Sequence, residues 1–275
     1  MNNAALYQRS NGLQRYDVQQ VLKFFSHVLK WRPDGCDSLL DIGCGSGDVT
    51  IDFILPILPK NFKRLVAVDL SNDMIQYARE NYILPNIFFN QFDLGTDVDK
   101  QSLREIEKFD HITSFFCLNW VKNQQTAVRN FYKLLKPGGD FLVLFVAYHP
   151  IYDFYKKQSK SKRWSEYMAD VDEFISPYQY SENPAIEFRD LLTECGFSKV
   201  NVETLEKCYT FNGSEARNAF NSLNPFIDRI PAENRQEYLD ELMNLFVDAG
   251  FAIDEDNKTR RFAPMYKLVV AYGTK

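Results

Sequence analysis

The stretch Leu39-Leu40-Asp41-Ile42-Gly43-Cys44-Gly45-Ser46-Gly47 constrains this chain more than any other. A short apolar run, Ser38 to Ile42, enters three closely spaced glycines, and a helical segment follows to about Leu58, where Pro59 stops it. Glycine at such a turn permits positive φ and lets a ligand approach the backbone. The helix that follows contributes unpaired N–H groups at its start. A strand, a glycine turn and a helix in that order predict the opening unit of an α/β sheet, and the next hundred residues continue it. Leu65–Val68, Ile87–Phe89, Asp110–Phe116 and Phe141–Ala147 read as buried strands. Ser71 can cap a helix running to about Tyr82, with Met74, Ile75 and Ala78 on one face. A helix over about 124–135 ends at Lys136-Pro137-Gly138-Gly139. Strand and helix therefore alternate from 38 to 147, the pattern of a doubly wound sheet.

The flanks are less regular. Val18, Val21, Leu22, Phe25, Val28 and Leu29 predict an amphipathic first helix over roughly 14–30, preceded by an Asn11-Gly12 turn. Residues 150–183 are mixed and polar. Residues 184–195 read as a helix, 200–205 as a strand, 214–223 and 232–249 as helices, and 266–272 as a last strand. We expect one domain over 1–275, with a core of about 31–149, 184–210 and 264–275. Cap elements are expected at about 1–30, 150–183 and 211–263. The late helices could cap one edge of the sheet or pack beside it.

Composition excludes some classes. A net charge of −5 weighs against a surface built to grip nucleic acid. The longest strongly apolar run, Phe141 to Tyr148, falls far short of the roughly 20 residues a spanning helix needs. The polar start, Met1 to Gly12, has no signal-peptide core. The five cysteines form no CxxC pair and read as free thiols, so a reducing, cytoplasmic setting is expected. An aromatic content of 15% suits either a large apolar pocket or an aromatic core. Lys156, Lys157, Lys160, Lys162 and Arg163 read as a solvated loop.

The glycine turn departs from the dinucleotide fingerprint GxGxxG, because Asp48 stands where the third glycine would be. Asp41 would also lie close to a pyrophosphate, and an acid there suits a ligand bearing an ammonium or sulfonium group. Asp69 ends the second strand 22 residues after Gly47, near the spacing at which an acid reaches ribose hydroxyls. Asp93 follows the third strand and Ser114 to Trp120 the fourth. All four points lie at carboxyl ends of neighbouring strands, where open α/β sheets bind ligands.

On these motifs, residues 38–147 resemble the class I S-adenosylmethionine-dependent methyltransferases. The resemblance implies a Rossmann-like seven-stranded sheet with helices on both faces, a helical cap and an antiparallel final strand. It implies that Asp41, Gly43, Cys44 and Gly45 hold the methionine end of the cofactor. Asp69 would take the ribose, Leu70, Asp93 and Leu94 would meet the adenine, and Ser114 and Phe115 would lie along it. No metal is implied.

The acceptor is a separate question. Cys117-Leu118-Asn119-Trp120 is not the Pro-Pro motif of nucleic-acid amino-methyltransferases, and no acidic cluster suggests a metal-dependent catechol site. Of three histidines, His27 and His111 read as structural, and His149 is the one candidate base. A carboxylate acceptor needs no base, being ionised at neutral pH. It needs alignment, which can supply about 7–11 kcal/mol, and neutral donors that do not over-stabilise the ground state. Gln14 and Trp120 are suitable donors, although alone they read as a surface residue and a core anchor.

Together with Tyr7-Gln8-Arg9-Ser10-Asn11-Gly12-Leu13-Gln14-Arg15 and the Phe-rich C-terminal half, these residues are similar to the insect juvenile hormone acid O-methyltransferases along the whole chain. That similarity implies methylation of a lipophilic sesquiterpenoid carboxylic acid, juvenile hormone acid or farnesoic acid, held by Gln14 and Trp120. It implies neither a nucleic-acid partner nor a membrane span. Other readings are another small acid, an amine or hydroxyl acceptor with His149 as base, a non-catalytic binder, or an NAD-dependent oxidoreductase. Arg15 could meet the cofactor's carboxylate or be solvated.

Overall fold

A computed structural model describes residues 3–101, 107–253 and 260–275 of the protein. In chain order, α1 (Ala4–Ser10) and α2 (Gly12–Phe25) precede β1 (Ser38–Ile42), β2 (Arg64–Asp69), α3 (Asn72–Asn81), β3 (Ile87–Gln91), β4 (Phe109–Phe115) and α4 (Gln124–Leu134). Then follow β5 (Leu135–Tyr148), α5 (Pro150–Ser159), α6 (Pro184–Glu194), β6 (Ser198–Cys208), β7 (Phe211–Asn212), α7 (Gly213–Leu223), α8 (Arg235–Asp248), β8 (Arg261–Phe262) and β9 (Met265–Thr274). Seven strands form one sheet in the order β3-β2-β1-β4-β5-β9-β6, parallel except for β9, which runs antiparallel to both neighbours. Because β1 lies between β2 and β4, strand order reverses there and leaves a crevice beyond their carboxyl ends.

Strand side chains alternate between two apolar layers. Leu39, Leu65, Leu142 and Leu144 enter one core, and Leu40, Val66, Val143 and Phe145 enter the other. The second layer is closed by α4 and α6 through Phe131, Phe188 and Leu192. The first is closed by α2, α3, α5, α7 and α8, with Phe220 stacked on Phe246 at 4.4 Å. The late helices thus share one continuous core with β5 and β9, through Val146, Leu268 and Val270. Of the expected cap, residues 1–2 and 254–259 lie outside the described residues.

Several elements differ from expectation, each for a local reason. The first long helix is Gly12–Phe25, shorter than 14–30, and α1 precedes it with Asn3 as its cap. The segment after the glycine turn is wide-turned over Thr50–Ile54 and tight over Leu55–Ile57, where Pro56 cannot donate to the helical ladder. The polar stretch after Tyr148 contains α5, with Pro150 in its first turn and His149 as cap. The turn Lys136–Gly139 lies within the β4–β5 pairing, as a register shift between Phe109 and His111.

At the amino ends of the central strands, His111 is buried between two carboxylates. Its Nδ1 lies 2.5 Å from Asp140 and its Nε2 3.1 Å from Asp37. The same acids accept the backbone N–H groups of Lys30 and Arg32, tying the segment after α2 to the sheet. Among the described residues, no helix is long and apolar enough to cross a membrane.

Candidate active site

The glycine turn is pinned to β2, since the N–H groups of Gly43 and Cys44 both donate to Val68 O at 2.7 and 3.0 Å. Gly43 has φ of 80° and a side chain there would collide with Cys117. Gly47, with φ of 84°, would press a Cβ to 3.0 Å from Phe89 and 3.1 Å from Ala78. The turn therefore needs glycine both for its backbone conformation and for close helix–sheet packing. The Tyr7 ring of α1 lies over Gly45.

The missing third glycine has a structural role of its own. Asp48 accepts from Asn11 Nδ2 at 3.0 Å, Arg15 at 2.6 Å and Ser46 Oγ at 2.8 Å. Arg15 also pairs with Asp52 at 2.8 Å. Arg15 is thereby committed to locking α2 onto the glycine turn and is not turned toward a ligand. Gln8 fixes α1 to α3 in the same way, between the hydroxyls of Tyr82 at 2.8 Å and Tyr77 at 2.5 Å.

Beyond the strand ends lies a cleft of 680 Å³. Gly43, Gly45, Asp69, Leu70, Asp93 and Leu94 line it, and Phe115 lies farther along. Asp69 accepts the N–H of Gly45 at 2.9 Å and of Ser71 at 2.8 Å, and burial pushes its carboxyl pKa up. Leu70 is 63% exposed at the lip, an apolar surface facing the opening. Asp93 turns both oxygens into its own loop, to Gly95 N at 2.8 Å and Thr96 Oγ1 at 2.7 Å. Ser114 lies near the end of β4. Its hydroxyl donates to Ile42 O at 2.8 Å within the sheet, and it does not line the cleft.

Asp41 borders a smaller adjoining pocket with Cys44, Gly43 and Gln14. Its oxygens accept from Thr50 at 2.6 Å and Thr113 at 2.9 Å. Burial pushes its pKa up to about 6, helped by the charge of Asp69 and opposed by the two hydroxyls.

Next to both lies an apolar cavity of 80 Å³ whose walls include Leu13, Ile151, Tyr152, Tyr155, Phe220 and Leu223. Its polar groups include Gln14, Trp120 and His149, and no Arg, Lys, Asp or Glu is among its described lining residues. Gln14 is buried, and its Oε1 has no hydrogen-bond partner among the described residues. Trp120 packs edge-on against Tyr152. With the Asn119 amide oriented so that its nitrogen donates to Phe116 O at 3.3 Å, its oxygen accepts from Trp120 Nε1 at 3.0 Å.

His149 does not suit the role of a base. Burial pushes its pKa down to about 3, and its Nδ1 lone pair accepts from Ile151 N at 3.1 Å. His27 is exposed and, like His111, lies outside the three pockets. Of the basic run, Lys156 pairs with Asp172 and Arg163 with Glu237, while Lys157, Lys160 and Lys162 are exposed.

Sequence reasoning passed over two residues that line all three pockets, Tyr7 and Phe116. Phe116 has φ of 56°, an outlier for a bulky side chain of the kind that clusters at functional sites. Its backbone N–H is held by Leu144 O at 2.7 Å. Nothing local in the sequence signals that conformation.

A family model described as a methyltransferase domain matches residues 40–141, the span from β1 to β5 that carries the glycine turn and the acids. Two solved structures share the fold. One is phosphoethanolamine N-methyltransferase 2 of Haemonchus contortus with S-adenosyl-L-methionine, at TM-score 0.55, 16% identity, and coverage of 99% of this chain and 56% of that one. The other is a plantazolicin methyltransferase, at TM-score 0.52, 17% identity, and coverage of 98% and 88%. The protein is an S-adenosylmethionine-dependent methyltransferase.

Its place within that class comes from closer relatives. The chain is 40% identical over 278 residues to juvenile hormone acid O-methyltransferase of Drosophila melanogaster, covering 100% of this chain and 93% of the relative. It is 33% identical over 279 residues to the protein of that name from Bombyx mori, covering 100% and 98%. The chain belongs to the juvenile hormone acid O-methyltransferase family.

Proposed function

We propose that this enzyme converts the carboxylate of a lipophilic sesquiterpenoid acid, juvenile hormone acid or farnesoic acid, to its methyl ester. The observation that carries this reading is the acceptor cavity, aromatic and aliphatic in its walls and furnished with neutral polar groups alone. An acid bound there is already ionised at neutral pH and needs no base. Neutral donors orient it without the deep ground-state stabilisation that an arginine would impose.

The residues of the cleft fit the cofactor. The glycine turn leaves no room for side chains, Asp69 stands at the strand end beside it, and Leu70 offers an apolar surface at the lip. Asp41, Gly43, Cys44 and Gly45 would hold the methionine end. Asp69 would hold the ribose, and Leu70, Asp93 and Leu94 the adenine, with Phe115 alongside. Bound there, S-adenosylmethionine supplies an electrophilic sulfonium methyl. Gln14 and Trp120 hold the acceptor carboxylate toward it, with Trp120 Nε1 turning from Asn119 to the substrate. The aromatic walls exclude water. A cavity of 80 Å³ is smaller than the roughly 300–1,000 Å³ of ordinary ligand pockets. The acid therefore needs more room than this cavity alone offers.

Trp120→Phe keeps the ring and removes the donor. It should lower kcat/KM for the acid by about 10- to 100-fold, the worth of one hydrogen bond to a charged group, with cofactor affinity unchanged. Unchanged turnover would remove Trp120 from the role.

A further inference from the structure

His149 follows β5, caps α5 and sits in the wall of the acceptor cavity, 8% exposed. Its ring is held in one state. The N–H of Ile151, in the first turn of α5, donates to Nδ1 at 3.1 Å. A neutral imidazole has one acceptor nitrogen and one N–H, so the proton lies on Nε2. The main chain under the ring is anchored as well, since the His149 backbone N–H donates to Gln179 Oε1 at 3.0 Å and Gln179 is tied to Asp153 at 3.2 Å. The aromatic rings beside it are those of Phe246 and Tyr266, with centroids at 6.5 and 5.7 Å. Burial keeps the ring uncharged.

Among the described residues, no protein group accepts a hydrogen bond from Nε2. His149 lines the cavity, and a ring N–H left without a protein partner in an apolar wall favours an occupant that brings an acceptor.

We propose that His149 is a substrate-reading residue whose Nε2–H donates to an oxygen of the bound acid. This rests on the acceptor cavity being the site of an apolar acid. The oxygen can belong to the carboxylate or to an ether-type group within the chain, and both present the same lone pair to the ring. In either case His149 acts as a fixed neutral donor beside Gln14 and Trp120, and no proton changes hands.

The test is His149→Asn. Asparagine is a favoured helix cap, so its Oδ1 can still accept from Ile151 N while the donor is withdrawn from the cavity. Methyl-ester formation would be measured for a saturated fatty acid, a branched unsaturated acid, and the same branched acid with an in-chain ether oxygen. A fall in kcat/KM of about tenfold or more for all three, with the melting temperature kept, assigns the donor to the carboxylate. A fall confined to the oxygen-bearing acid assigns it to the chain. Unchanged kcat/KM for every acid overturns the proposal.

If the variant does not fold, 15N NMR of the wild-type ring decides. The Nε2-protonated tautomer is expected, with its ring proton moving downfield when acid is added in the presence of S-adenosylhomocysteine. The other tautomer, or no movement, overturns it. Failure of the wild type to esterify any acid would instead overturn the reading of the cavity, and this inference with it.

Discussion

Asp41 shows how far a single residue can be read. Its place two residues before the first glycine marked it as an acid suited to a positively charged ligand. Its surroundings were beyond reach, because Thr50 and Thr113 come from other elements. Buried beside Asp69, its carboxyl is raised from 3.8 to about 6. Since the folded pKa is raised, Asp41's contribution to the stability of the free protein is full below about 4 and lost as pH rises through about 6. Binding of an ammonium group favours the ionised form. Cofactor binding should therefore release a proton near pH 6, and affinity should weaken as pH falls below it. Calorimetry in two buffers of different ionisation enthalpy checks this, and Asp41→Asn should abolish the pH step. Binding with no proton release would separate Asp41 from the methionine end. Ser114, Phe116 and Arg15 mark the limit of such reading. Each lies at or near an expected site, but backbone conformation and remote partners decide where its side chain goes.

At the scale of elements, those with strong internal signals were legible. The strands β1 to β5 are apolar runs between turns, and Ser71 announced α3. The short α1 has seven residues and no apolar stripe, and is held by contacts to Tyr77, Tyr82 and the glycine turn. Pro150 after a capping His149 could have signalled α5, but the lysines near its end hid the buried face of Tyr152 and Tyr155. The join between α2 and the sheet yields a prediction of its own. Burial opposes the charge on His111, but Asp140 and Asp37 outweigh it and raise its pKa. The raised pKa means the stability it contributes is fully present below about 6.5 and is lost as pH rises through the folded value. His111→Gln should cost about 3 kcal/mol at pH 6, seen as a lower melting temperature, and the deficit should shrink at alkaline pH. An equal deficit at all pH values would show that the ring contributes by packing alone.

At the scale of the whole molecule, the sheet followed from the alternation of elements, whereas the placement of α7 and α8 did not. Their apolar faces fit either a cap or a flank. The choice rests on long-range contacts of Phe220 and Phe246 with β5, β9 and α5, which no local pattern encodes. The same packing brings the acceptor cavity, the cofactor cleft and the pocket of Asp41 together around Tyr7 and Phe116. The family places the chain among the methyltransferases, and the cavity's neutral polar groups point to a carboxylate acceptor.

A mass-spectrometric methyl-transfer assay tests that claim most directly. The purified protein would be given S-adenosylmethionine with juvenile hormone acid, farnesoic acid, a saturated fatty acid and a catechol. Methyl ester from the terpenoid acids, with little from the fatty acid and none from the catechol, is the predicted result. Methylation of the catechol, or no ester while cofactor still binds, would contradict the account of the acceptor cavity.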